Sequence, residues 1–224
     1  MFKIPKNGRK GGLLAEILMI VIGINVALWF EGWFQDLSDA EAETQYLVEL
    51  RDDLRIDILN LDQLVEINAQ KVNTVGEILG KLDRLNELSA EEQAEILFTP
   101  SSYGFFHPSD FTYRSMQESG DFRLISNSAI KKSILRLDRR HKEIATLQTN
   151  FLQAMDDGYI PLMMNSFDIL NSRVADAGLF ENVTFRNFFA FTLQDTERMV
   201  KAYENVRRQS EELLAQIDQE LGDD

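Results

Sequence analysis

Apolar positions along the chain follow two patterns. From Gly11 to Phe30 they are nearly continuous: the run GGLLAEILMIVIGINVALWF contains only Glu16 and Asn25 as strongly polar residues. Its 20 residues would span roughly 30 Å as a helix, the thickness of a bilayer core. Beyond it the apolar residues become periodic. Leu47, Leu50, Leu54, Ile58, Leu61, Val65, Val72, Val75, Leu79 and Leu82 recur at helical intervals, with Asn68 in the one gap. This spacing predicts an amphipathic helix from Asp39 to about Leu85, weakened distally by Gly76 and Gly80. Residues 31–46 contain no strong helix breaker except Gly32, so the two segments are candidates for one continuous rod.

Local signals place the remaining elements. Ser89-Ala90-Glu91-Glu92 has the form of a capping box and predicts a short helix to about Phe98. Residues 99–110, TPSSYGFFHPSD, read as a loop. Ser109 or Asp110 can cap a helix from Phe111 to Ser119, with Gly120 at its end. Asn127 or Ser128 caps a long helix carrying Ile130, Ile134, Leu137, His141, Ile144, Leu147, Phe151 and Met155 on one side, and Asp156-Asp157-Gly158 is the expected stop. Pro161 opens a short apolar helix to about Leu170, residues 171–183 form a second loop, and a last helix runs from Thr184 to Leu221. No strand shows clear alternation. The predicted architecture is all-α: one N-terminal transmembrane helix followed by an antiparallel extracytoplasmic helical bundle. Residues 1–10 form a basic tail, 11–34 the membrane helix and 35–224 the bundle.

Charge gives this arrangement a direction. Of 23 basic and 37 acidic side chains, Lys3, Lys6, Arg9 and Lys10 precede the apolar run with no acid among them. Between Glu31 and Asp62 there are ten acids against Arg51 and Arg55. The positive-inside rule then keeps the N-terminus in the cytoplasm and puts the bundle on the trans side, the periplasm if the membrane is a bacterial inner membrane. Trp29, Phe30, Trp33 and Phe34 are the expected interface anchors. A cleaved leader would need small residues near its end, where Leu28-Trp29-Phe30 is bulky. Helical spacing aligns Gly12, Glu16, Met19, Gly23 and Ala27, and the small pair Gly23 and Ala27 allows close approach of another membrane helix. Asn25 falls on the opposite face.

Candidate chemistry is sparse. A net charge of −14 argues against a nucleic-acid partner, and the absence of cysteine excludes thiolate chemistry. His107 and His141 lack metal-ligand spacing, and His141 lies on an apolar stripe. No phosphate loop or nucleophile motif is present, so we expect no enzyme activity, metal or cofactor. The basic cluster from Lys131 to Lys142 could bind lipid headgroups or an acidic partner, and the expectation is that it lies against the acids of residues 36–62. Phe185, Phe188, Phe189 and Phe191 cannot share one narrow stripe, so some of these rings must be buried by neighbouring segments or by another protein, which makes them a candidate soluble interface.

Two patches carry a resemblance. Glu16-Ile17, Gly23-Ile24, Ala27 and Trp33, together with Ser119-Gly120-Asp121-Phe122-Arg123-Leu124-Ile125-Ser126-Asn127, resemble an uncharacterised family of bacterial single-pass membrane proteins. Ala15 and Glu31-Gly32 depart from its pattern. The resemblance implies bacterial origin and one-pass topology, and no mechanism. The resulting expectation is a non-catalytic accessory subunit of a larger membrane complex, of which a respiratory or photosynthetic assembly would be an example. Its partners would be the bilayer and other integral membrane subunits. The alternative is a membrane-tethered periplasmic sensory or ligand-binding module.

Overall fold

The computed structural model describes the backbone of residues 8–222 apart from Ala177, and side chains from Glu16 onward. The described chain is nearly all-α. Helix α1 runs Gly8–Leu79, so the apolar run and the first periodic stretch are one helix of 72 residues, about 108 Å long. The expected division between residues 34 and 35 falls inside it.

The predicted helix to Leu85 ends earlier. After Gly80 the chain tightens into a 3-10 turn, Leu82–Glu87, which still buries Leu82 and Leu85. Helix α2, Ala90–Phe98, begins with the expected capping box: the Ser89 hydroxyl accepts the Glu92 N–H, and the Glu92 carboxylate accepts the Ser89 N–H at 2.9 Å. Helix α3, Phe111–Ser119, ends at Gly120 with φ +83°, a left-handed conformation that costs glycine little because it lacks Cβ. Asp110 precedes α3 without capping it, and its carboxylate pairs with Arg114 instead. Helix α4, Ser128–Ala154, starts under Asn127, whose Oδ1 accepts the Ala129 N–H at 2.9 Å.

The expected stop at Asp156-Asp157-Gly158 does not occur. The chain passes through a π-helical turn, Met155–Tyr159, directly into α5, Ile160–Ser166. The wider turn shifts the register so that both Met155 and Tyr159 reach the core. Past Ser166 a short ribbon replaces the expected helix and loop: β1, Phe167–Asp168, pairs antiparallel with β2, Arg173–Val174. Helix α6, Val183–Gly222, completes the chain.

Helices α1, α4 and α6 form the bundle. α6 runs antiparallel to α1, with Arg55 near Asp218 and Asp83 near Arg186. It also runs antiparallel to α4, where Ser133 bonds Gln216 and Gln148 bonds Tyr203. Inward positions alternate by three and four residues in each helix, as in Ile130, Ile134, Leu137, Ile144, Gln148 and Phe151 of α4. This is a coiled-coil seam with a 3.5-residue repeat. In α1 the fully buried seam is Leu47, Leu50, Leu54, Asp57, Leu61, Asn68, Lys71, Val75 and Ile78. Ile58, Val65, Val72 and Leu79, assigned to the stripe from spacing alone, are half-buried at its flank.

Candidate functional site

The bundle begins at Glu43 and Tyr46. Glu43 accepts from the Ser126 N–H at 2.6 Å, and the Tyr46 hydroxyl donates to Asp121 at 2.8 Å. Residues 16–38 lie outside the bundle, and every one of them is exposed. Among the described residues this is the one helix long and apolar enough to cross a membrane by length and composition.

Along this arm Glu16, Met19, Gly23 and Ala27 are exposed, and nothing lies within 4 Å of a Cβ placed on Gly23. Gly12, assigned to the same face, lies outside the residues whose side chains are described. The Asn25 amide donates to the Val21 carbonyl at 2.7 Å, so the helix itself partly satisfies this polar group. Trp29, Phe30, Trp33 and Phe34 form a cluster at the arm's end nearest the bundle, with neighbouring ring centres 5.3–6.4 Å apart.

Two expectations about the bundle surface are corrected. Phe185, Phe188 and Phe189 are buried in the chain's own core, and Phe191 is half-buried. Phe185 meets Phe180 edge to face, Phe188 stacks on Tyr159, and Phe191 lies parallel to Phe151. Tyr159 comes from the π turn, Phe180 from a 3-10 turn, Leu179–Glu181, that precedes α6, and Phe151 from α4, so the rings make no exposed interface. The basic cluster also does not lie against the acids of residues 36–62. Its pairs are local: Lys142 with Asp138, and Arg140 with Glu143. Lys132, Arg136 and Arg139 face outward, because the inner face of α4 is its apolar seam. Asp62 of α1 pairs with Arg207 of α6 instead.

Sequence reasoning missed three polar layers inside the bundle. In the first, Asp57 is 2 % exposed and its Oδ1 accepts the Ser109 N–H at 2.8 Å. Burial pushes its carboxyl up to about 6, only partly offset by the hydrogen bonds from Ser109. His141 lines the same cleft. Burial pulls its imidazole down to about 4, so it is neutral near pH 7, and its Nε2 has no partner within the chain.

In the second layer Gln148 donates to the Phe106 carbonyl at 3.2 Å and to the Tyr203 hydroxyl at 3.0 Å. Asn68 donates to the Leu64 carbonyl at 2.8 Å. In the third, Lys71 Nζ donates to the Pro100 carbonyl at 3.0 Å and sits 5.1 Å from the Phe151 ring centre. Burial pulls Lys71 down to about 8, and the nearby charge of Asp195 opposes that shift. Burial raises Asp195 in turn, and its Oδ2 has no hydrogen-bond partner.

These layers hold the 99–110 segment against the seam. Asp57, Gln148 and Lys71 are each bonded to the backbone of that segment. No group of three His, Asp or Glu side chains among the described residues could hold a metal ion. The chemistry supported by this arrangement is registration of helices and loop. A detectable signal existed in the sequence: Asp57, Asn68, Lys71 and Gln148 occupy three-four positions continuous with apolar ones.

Residues 16–155 match the model of DUF6090, described as a family of unknown function. The match covers the described part of the exposed arm, α2, α3 and α4, and leaves out α5 and α6. No curated protein and no solved structure matches the chain.

Proposed function

Because the chain belongs to the DUF6090 family, whose function is unknown, we propose a role from its own geometry: a non-catalytic, single-pass accessory subunit of a larger membrane complex. The observation that carries this reading is the arm. Residues 16–38 are exposed without interruption, while the bundle closes its core with its own side chains. An apolar helix of this length has a bilayer as its natural solvent. The basic tail before it and the acids after it orient the N-terminus to the cytoplasm and the bundle to the trans side, the periplasm in a bacterium. Trp29, Phe30, Trp33 and Phe34 then sit at the trans headgroup layer.

Because α1 continues unbroken from arm to bundle, the bundle is held on a stiff post and braces whatever the membrane helix docks against. Gly12, Glu16, Met19, Gly23 and Ala27 form the docking face of this reading. Gly23→Leu adds bulk there without touching the bundle. The expected result is a membrane-inserted protein with normal bundle helicity that no longer co-purifies with its partners in mild detergent, while Ile22→Leu behaves as wild type. A reporter fused to the C-terminus should be active only on the trans side. Retention of partners by Gly23→Leu, or a cytoplasmically active reporter, refutes the docking face or the topology respectively.

A membrane-tethered binding module is the second reading. It rests on a cleft of about 370 Å³ between α4 and residues 105–110, lined by Phe105, His107, Tyr113, His141 and Leu152. A small molecule raising the unfolding midpoint of wild type but not of His141→Leu would favour it.

A further inference from the structure

The bundle carries a second exposed apolar surface, far from the arm. Where α2, α5 and the ribbon meet, Phe98 is 49 % exposed, Met164 65 %, Ile169 57 % and Leu170 96 %. Phe98, Met164 and Ile169 border a groove of about 150 Å³ floored by Leu97, Tyr159 and Phe167, and Leu170 follows Ile169 in the turn of the ribbon. Phe98 also adjoins Lys71 and Thr74. That level lies 40 residues along α1 from Phe34, or about 60 Å, too far to touch the bilayer holding the arm.

Acids outnumber bases around this groove: the buried Lys71 already donates to the Pro100 carbonyl, and Arg84 and Arg186 are paired with Glu87 and Asp83. Residues 85–102 and 151–185 contain nine acids and a single base, Arg173. Arg173 is already paired with Asp168 at 3.5 Å. The acids sit beside the apolar residues: Glu95 is one helical turn from Phe98, and Asp156 and Asp157 are one turn from Ile160. The π turn joining α4 to α5 presents Ile160 and Met164 on the outside while Tyr159 goes in.

We propose that this groove is a docking site for a basic amphipathic segment of another protein chain. Apolar side chains of the segment would replace water over Phe98, Ile160, Met164 and Leu170, and its lysines or arginines would meet Glu95, Asp156 and Asp157. A second copy of this chain would bring two acidic rims together, and an anionic lipid surface would be repelled. The proposal goes beyond the membrane-subunit reading and stands whether or not the arm docks on another helix.

The test uses the full chain in nanodiscs of zwitterionic lipid, with empty discs as the blank. The probes are two labelled helical peptides of the same amphipathic pattern, one of leucine and lysine and one of leucine and glutamate. Binding is followed by fluorescence anisotropy. The leucine–lysine peptide should bind and the leucine–glutamate peptide should not. Leu170→Ser, alone or with Met164→Gln, should weaken binding at least tenfold with the melting curve unchanged. Neutralising Glu95, Asp156 and Asp157 to their amides should weaken binding and flatten its salt dependence. Wild-type binding by the Leu170→Ser and Met164→Gln variants would overturn the proposal, since the peptide would then be reading only overall acidity. Equal binding of both peptides, or self-association lost in those variants, would overturn it as well.

Discussion

Asp57→Asn separates the cost of burying a charge from the worth of its hydrogen bond. The carboxyl of Asp57 is pushed from its ordinary 3.8 up to about 6, mainly by burial. The folded chain therefore binds this proton more tightly than the unfolded chain. The resulting stabilisation is fully present below 3.8 and is lost as pH rises through about 6. The whole shift corresponds to about 3 kcal/mol. The effective dielectric around buried groups is well above that of a dry interior, so we expect about 1–2 kcal/mol. Asparagine keeps an acceptor for the Ser109 N–H and carries no charge. The variant should exceed wild type in stability by that amount near neutral pH and equal it at pH about 4.

His141 acts in the opposite direction. Its pKa falls from 6.5 to about 4, so the unfolded chain takes up this proton first, and stability is lost as pH falls from 6.5 towards 4. In wild type the two slopes oppose each other over overlapping windows. Asp57→Asn should therefore lose stability more steeply on acidification than wild type, and His141→Gln should do the reverse. Urea unfolding of the full chain in detergent, followed by far-UV circular dichroism across this pH range, reads both slopes. If Asp57→Asn is destabilised equally at neutral and acid pH, the hydrogen bond from Ser109 outweighs the burial cost and the reasoning fails.

Phe189→Ala should cost about 3–5 kcal/mol in the same unfolding assay, because it empties a fully buried ring position; an unchanged midpoint would return that ring to the surface. Lys71→Ala removes the bond to Pro100 and the attraction of Lys71 for Asp195, which keeps Arg198 at 3.6 Å, so a loss of about 1–3 kcal/mol is expected. Lys71→Met combined with Asp195→Leu should recover most of that loss, and a double variant worse than the single would refute the pairing. Gly120→Ala should lower stability by about 1–2 kcal/mol, since φ +83° is strained for any residue with a Cβ; a thermal melt detects it as a lowered midpoint.

Local chemistry made much of the fold legible in the sequence. Ser89 with Glu92, Asn127 and Gly120 act within one turn of their own position, and each begins or ends the helix its residue type predicts. The apolar run and the long periodic stretches are equally local, so the long helices and their order followed from spacing. Spacing did not decide which neighbour faces inward. Ile58, Val65, Val72 and Leu79 repeat every seven residues alongside the seam, so spacing and residue type alone assigned these apolar neighbours to positions where the fold buries Asp57, Asn68, Lys71 and Ile78.

Three of those residues are polar, and no local rule puts a carboxylate, an amide and an ammonium inside a bundle. Their partners come from the 99–110 segment, as the Ser109 N–H and the Gly104 and Pro100 carbonyls. The same holds at Asp156-Asp157-Gly158, where a stop signal gives way to a π turn that seats Tyr159 against Leu97 and Phe188. It holds too for the phenylalanines of α6, which reach the core because that turn and the preceding 3-10 segment surround them. The sequence by itself determined the long helices, the caps at Ser89, Asn127 and Gly120 and the apolar arm, because each depends on neighbours within about one helical turn. Only the tertiary structure decided what is buried at the seam, because burying a polar group requires a donor or acceptor that arrives from elsewhere in the chain.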